Sequence, residues 1–500
     1  MIDLINEYEF WKQHERFLKV PLVTESPHLA TYNLSTLAKT DINSAYYDFL
    51  KVELDVIYQL YSYIQDINKL REAITNTIRQ HNRVFLLGCG ASGRLAVLIR
   101  RMFGLYHPNY DALIIAVNAA GDTSLIRSVE QFEDQKDFGV KQLLQLGYTK
   151  NDLVIGLSAS GESPFILNAI EYVRNNSAVI PWLICNNPSN ILILRNPNHI
   201  FNRLAINSLC LDVGPMALAG STRLQATTAM LIVLGLAIQP TIDIKCELDG
   251  IFNYLKTYPF NLISPLTIVE SNILKNKEYV LYQTNDSILG LSLLADITER
   301  SPTFNLIPFE NLTALDKQGY SQFYLSIVNQ ADNKTAWYYL LGQNPICLNW
   351  PNFPQTSDEY FYGFDISTQS NRSKYLDNKQ YKFNWFVKND SLYITLCMQN
   401  IILPLTKNIL LNSLIYKIAL NMHSTLMFGR LDYFMGNLMI SLKPSNFKLV
   451  DRAIRYSLFI LNTQYNLQPS YKDVADIIFK ELQYLKANES IVLKAVKKLI

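Results

Sequence analysis

The chain is predicted to be an α/β protein of two tandem lobes, each a parallel sheet flanked by helices, with a small helical domain at the C-terminal end. Three observations predict it. Apolar runs of strand type alternate with stretches of helical periodicity between Val84 and Ile184, the pattern of a parallel sheet covered by helices. Two small-residue turns, Gly88-Cys-Gly-Ala-Ser-Gly-Arg94 and Gly156-Leu-Ser-Ala-Ser-Gly-Glu-Ser163, each stand between such a run and a helix. A weaker version of the same order returns after Tyr279.

The elements are expected as follows. Residues 1–45 carry Pro21 and Pro27 and read as an arm with little core of its own. From Ser44 to Arg79 the spacing of Tyr47, Leu50, Leu54, Ile57, Leu60 and Ile64 is helical. Strands are expected at Val84–Leu87, Ala112–Val117, Leu153–Leu157 and Ile180–Ile184, with helices between them such as Leu125–Phe132 and Pro164–Arg174. The polar strip Asn186–Asn190 fits a loop after a strand, and Gly214–Arg223 a loop that ends in a helix cap. The run Met230–Ile238 is too short to span a bilayer and reads as a buried helix. The second lobe repeats the plan with a strand at Tyr279–Tyr282, a helix from Ile288 to Glu299, a strand at Ser391–Leu396 and an apolar run from Asn408 to Met422. Its first turn, Gln283-Thr-Asn-Asp-Ser-Ile-Leu289, has no glycine, so a duplication with one degenerate copy is inferred. From about Pro444 to Ile500 the pattern is helical and more charged, so the domains are placed at 1–45 (arm), 46–245 (first lobe, with the binding site), 246–440 (second lobe, degenerate) and 441–500 (small helical domain).

Composition narrows the function. With 500 residues, 49% hydrophobic and 18% charged, the chain can bury full cores. A balance of 45 basic against 43 acidic residues, with no basic run, argues against nucleic acid as a partner. The six cysteines form no CxxC pair and suggest neither a metal site nor a disulfide framework. A reduced, cytoplasmic setting is expected, with no secretory signal and no membrane segment.

The chemistry sits in the two turns. A small-residue turn between strand and helix presents N–H groups at a helix N-terminus, which attract phosphate, and serine hydroxyls add donors. Having the device twice points to a small phosphorylated ligand in the crevice of a parallel sheet. Other residues have plainer readings. Glu130, Glu133 and Asp134 read as a solvated helix face, Lys448 as a surface lysine, and Glu299 with Arg300 as a surface pair. Arg94 is expected to pair with an acid of its own lobe, Arg223 to face solvent or a neighbouring loop, and Cys89 to be a small filler. The histidines are scattered and none is assigned a role.

The ordered set Gly88–Leu95, Val129-Glu-Gln-Phe-Glu-Asp134, Gly156–Gly161, Ala219-Gly-Ser-Thr-Arg-Leu224, Asp296–Phe304, Gly436–Met439 and Ser445–Leu449 resembles the sugar isomerase (SIS) family. More narrowly it is similar to the branch of N-acetylmuramic acid 6-phosphate etherases and glucokinase regulatory proteins. The resemblance covers roughly residues 45–455. It implies two tandem SIS domains with a helical lid, the layout of the regulatory proteins. It also implies a sugar-phosphate site in which Gly88, Cys89, Gly90, Ala91, Ser92, Ser158, Ala159 and Ser160 hold phosphate. Glu133 and Glu299 would contact sugar hydroxyls, with Glu130 close by and Lys448 reaching in from the lid.

Two departures stand out: Met102 occupies the position of the etherase glutamate in the first lobe, and nothing around Gln399–Ile402 matches a kinase-contacting stretch. The expected ligand is fructose 6-phosphate or fructose 1-phosphate, with a sugar kinase as the one protein partner the resemblance suggests. No cofactor or metal is implied. Three functions compete: a non-catalytic sugar-phosphate sensor, an etherase-like lyase on a hexosamine 6-phosphate using Glu130, Glu133 and Glu299, and, last, an aldose–ketose isomerase.

Overall fold

Val84–Leu87, Ile114–Val117 and Leu153–Ile155 are continuous apolar runs, which suits strands covered on both faces. The structure is a computed structural model. It describes the chain apart from residues 1–6, 14–19, 128–131, 314–318, 371, 443, 445 and 487–488. In it the runs become β1 (Val84–Gly88), β2 (Ile114–Asn118) and β3 (Leu153–Ser158), followed by β4 (Trp182–Cys185) and β5 (Asn207–Cys210). All five are parallel, in the order β2-β1-β3-β4-β5. β1 lies between β2 and β3, with Val84 opposite both Ile114 and Leu153.

The second sheet contains β6 (Tyr279–Thr284), β7 (Phe323–Ile327), β8 (Gln380–Lys388), β9 (Ser391–Leu396) and β10 (Gln399–Pro404), in the order β10-β9-β8-β6-β7. β6 is parallel to β7 and β8, so β7-β6-β8 repeats the arrangement β2-β1-β3. The expectation of a wholly parallel second sheet is corrected here: β8–β9 and β9–β10 are antiparallel. Two-residue connections join those strands, and only antiparallel neighbours can be linked that briefly.

Helices bring the lobes together. Gln225–Ala237 is buried at every residue, as its unbroken apolar run requires. It packs on Ile409–Arg430, which also packs on Ser287–Phe304, and that helix in turn meets Ala91–Tyr106 of the first lobe. The helical stretch expected from Ser44 to Arg79 is two helices, Ile42–Gln59 and Ile64–Arg79, with a 3-10 turn between them. The helix expected over Leu125–Phe132 is a short one, Thr123–Ile126, and residues 128–131, including the candidate Glu130, lie outside the described residues.

The C-terminal end forms three mutually packed helices, Phe447–Tyr465, Tyr471–Leu482 and Ile491–Leu499. The N-terminal arm ties them to the first lobe. Phe10 packs on Phe447 and Phe479, while the carboxylate of Glu25 pairs with Arg452 at 2.6 Å. No helix among the described residues is long and apolar enough to cross a membrane.

Candidate functional site

The strand order sets the place of the site. In a sheet ordered 2-1-3-4-5 the connections from β1 and β3 leave to opposite sides, and a crevice opens at their carboxyl ends. Both small-residue turns emerge there. A cavity of about 160 Å³ occupies the crevice.

The first turn starts helix Ala91–Tyr106. Its N-cap, Gly90, has φ +53° and gives the helix no side-chain cap; the N–H groups of Ser92 and Gly93 turn back to the Cys89 carbonyl at 3.1 and 3.4 Å, and no side chain occupies the helix start at the cavity wall. Two further glycines let helix and sheet touch. A Cβ on Gly93 would lie 1.9 Å from Asn118 Oδ1, and one on Gly88 would lie 2.5 Å from the Gly93 nitrogen. Gly88 therefore closes the strand-to-helix corner. It does not line the cavity, unlike Cys89, Gly90, Ala91 and Ser92.

The second turn folds on its own hydroxyls. Gly161 N–H donates to Ser158 Oγ at 3.1 Å and Glu162 N–H donates to Ser160 Oγ at 3.2 Å. Both oxygens accept from the backbone, and they lie 3.5 Å apart, so one hydroxyl can donate to the other while the remaining O–H is a donor for a ligand. Asn187, after β4, braces the turn by donating to the carbonyls of Ala159 and Ser160 at 3.1 and 3.2 Å. Ser158, Ala159 and Ser160 all line the cavity.

Charged groups close it from three directions. Glu133 comes from the first lobe, Glu299 from helix Ser287–Phe304 of the second, and Lys448 from the first turn of helix Phe447–Tyr465. Asn446 caps that turn, accepting from Leu449 N–H at 2.9 Å. Burial pushes the Glu133 carboxyl up, helped by Asp134 and Glu299 and opposed by Lys448. Burial, with Glu133 behind it, pushes the Cys89 thiol up, so Cys89 is no activated nucleophile. The bland readings of Glu133, Glu299 and Lys448 as solvated surface groups are therefore corrected.

Both arginine expectations are corrected too. Arg94 pairs across the lobe interface with Glu299, not with an acid of its own lobe, and its Nε donates to the Leu125 carbonyl at 2.9 Å. Arg223 is buried. It donates to Asp296 at 2.9 Å, Asn421 at 3.1 Å and Thr425 at 2.9 Å. Asp296 also holds Arg300 at 2.8 Å, and Arg300 approaches Glu270. Arg300 is fully buried and is no surface partner of Glu299.

The loop Gly220–Arg223 forms a further wall, beyond the residues expected from the sequence. Ser221 Oγ is buried there with no hydrogen-bond partner among the described residues, a vacancy in bonding that a polar ligand would fill. The motif Ala219–Leu224 was the signal that could have placed it. Arg452, another lining residue, carried no signal, because its partner Glu25 is 427 residues away. No group of three or more His, Cys, Asp or Glu side chains suited to a metal ion is present among the described residues.

The chain is similar in sequence to known proteins. A family model described as the glucokinase regulatory protein N-terminal SIS domain matches residues 66–174, the segment that carries both turns. The N-acetylmuramic acid 6-phosphate etherase of Enterobacter sp. (strain 638) is 31% identical over 219 residues, 43% of this chain and 68% of that protein. The etherase of Aliivibrio fischeri (strain MJ11) is 28% identical over 215 residues, 43% of this chain and 67% of that one. Among solved structures, tagatose-6-phosphate ketose/aldose isomerase from Escherichia coli aligns with 84% of this chain and 99% of its own, at 11% identity and a TM-score of 0.40.

Proposed function

Given that the chain belongs to the SIS family, in the branch of the glucokinase regulatory proteins and N-acetylmuramic acid 6-phosphate etherases, we propose that it is a sugar-phosphate-binding regulatory protein. It holds a fructose phosphate or a related hexose phosphate between two SIS domains and a helical lid. The observation that carries this is the composite cavity, which draws residues from both lobes and from the C-terminal helices. The phosphate lies against the uncapped start of helix Ala91–Tyr106 and the hydroxyls of Ser92, Ser158 and Ser160. Glu133 and Glu299 accept from sugar hydroxyls and Lys448 adds a positive charge from the lid. Binding then draws three parts of the molecule together, which suits a sensor whose surface is read by a partner. A sugar kinase is the partner class that the family suggests.

A second reading has its own support. Two carboxylates face one cavity, and the raised Glu133 is suited to hold a proton while Glu299 accepts one. Eliminating an ether next to a carbonyl needs one group to remove a proton and another to protonate the leaving oxygen. The etherase relatives favour this reading. Met102, fully buried and 3.6 Å from Ser413 Oγ, favours the sensor, since an apolar core residue stands where the resemblance implies an acid.

One variant separates the two. Titrating the wild type and Glu299→Gln with fructose 6-phosphate, fructose 1-phosphate and hexosamine 6-phosphates measures binding. Lactate release from N-acetylmuramic acid 6-phosphate measures turnover. For a sensor, the variant binds about 5- to 30-fold more weakly, because one charge-assisted hydrogen bond becomes neutral, and neither protein releases lactate. Wild-type turnover that disappears in Glu299→Gln while binding persists would make the protein an etherase.

A further inference from the structure

We infer that Arg94 is a positioning residue: it fixes the second lobe's Glu299 over the first lobe's glycine turn, so that sugar recognition depends on contact between the lobes. This rests on reading the cavity as a sugar-phosphate site.

The geometry is specific. Arg94 is buried, and it does not line the cavity. Its guanidinium is held at two points, by the Leu125 carbonyl through Nε and by Glu299 Oε1 through Nη1. Two anchors on a planar, rigid group fix its orientation, which a flexible point charge would not do. The oxygen it grips lies directly above the turn, 3.8 Å from where a Cβ on Gly90 would be. The second carboxylate oxygen, Oε2, has no hydrogen-bond partner among the described residues and is left for the ligand. Glu299 itself is on a helix of the other lobe, so nothing in its own backbone aims it at Gly90.

Division of labour follows. The phosphate end of a ligand is held by turns of the first lobe, with Lys448 of the C-terminal helices adding charge and nothing from the second lobe. The sugar end needs a carboxylate from the second lobe, and Arg94 sets where that carboxylate stands. An arginine that merely stabilised the lobe interface would, when removed, weaken both ends alike. One that positions Glu299 weakens only the sugar end, and has nothing to position once Glu299 is truncated to alanine.

Calorimetric titration of Arg94→Met, Arg94→Lys, Glu299→Ala and the Arg94→Met/Glu299→Ala pair tests this. The probes are inorganic phosphate and whichever of fructose 6-phosphate and glucosamine 6-phosphate the wild type binds. Arg94→Met should lose at least tenfold in sugar-phosphate affinity and stay within twofold for inorganic phosphate. In the Glu299→Ala background the same change should shift sugar-phosphate affinity by less than twofold. Arg94→Lys, which keeps the charge but can hold one anchor only, should fall between. If Arg94→Met does not fold, Arg94→Lys with and without Glu299→Ala carries the same comparison. Equal losses for both probes, no loss, or an undiminished loss in the Glu299→Ala background would overturn the inference alone. A wild type that binds no sugar phosphate would overturn the functional reading and this inference with it.

Discussion

Ser92 and Ser158 are the side chains on which phosphate binding should turn. Each stands on a strand-to-helix turn at the cavity wall, and each offers an O–H to an anion. Replacing either with alanine removes a hydrogen bond to a charged group, at a cost of about 1.5–3 kcal/mol. That is roughly ten- to a hundredfold in affinity. Ser158→Ala should also loosen its own turn, since Gly161 N–H loses its side-chain acceptor. Calorimetry with the sugar phosphate that binds would read both effects, and unchanged affinity in both variants would remove the serines from the site. At this scale the sequence was legible where the chemistry is local. Glycines, serines and the strands before them lie within a few residues of one another, so the turns could be read directly. The arginines could not. Arg94 and Glu299 are 205 positions apart, and Arg223 and Thr425 are 202 apart, so no local pattern announces either pair.

Between elements, the comparison of the first helix in each lobe explains why one site is expected and not two. Helix Ala91–Tyr106 follows β1 and opens on Gly90 with no side-chain cap. Helix Ser287–Phe304 follows β6 and opens on Asp286, whose carboxylate accepts from Leu289 N–H at 2.8 Å. The second lobe thus supplies its own anion at the place where the first can receive a phosphate. The turn before it also lacks glycine, which keeps a ligand from approaching the backbone closely. One sugar phosphate per chain is therefore expected at saturation. Two per chain, or a phosphate bound beside Asn285, would show that the second helix start is open after all. β1 and β3 are apolar throughout and were expected nearly in place, as was β9. β5 (Asn207–Cys210) offers no apolar run, and β7, β8 and β10 were not placed, although β8 buries alternate residues, Phe383 and Trp385. The antiparallel pairing of β8, β9 and β10 depends on short turns, at Asn389 and Cys397, whose positive φ angles no strand periodicity records.

For the whole molecule the central question is what holds the two lobes in register around the cavity, and the sequence left that unread beyond the repeated layout. One contact has a testable titration. Asp122 follows the turn after β2, where Ala120 and Gly121 have φ of +77° and +72°. It meets the second lobe through a reciprocal pair: its N–H donates to the Ile346 carbonyl at 2.9 Å, and its carboxylate accepts from Ile346 N–H at 2.7 Å. Burial raises its pKa to about 7, against the pull of that N–H and of Arg100. In the unfolded chain an aspartate titrates near 3.9. Between those two values the folded protein holds a proton that the unfolded chain has released. Unfolding therefore becomes easier as pH rises through this window, and the stabilisation by the protonated carboxyl is gone above about pH 7. The full effect has an upper bound of about 4 kcal/mol, from one pKa unit being worth about 1.4 kcal/mol. Asp122→Asn keeps the shape and the acceptor for Ile346 N–H but cannot ionise. Denaturant unfolding followed from pH 4 to pH 8 should show the variant matching the wild type at the acid end. It should then become the more stable of the two as the pH rises. Parallel stability curves across the range would mean that Asp122 is not a buried acid at the lobe interface, and the clamp between the lobes would have to be sought in the Arg94–Glu299 and Arg223–Asp296 pairs alone.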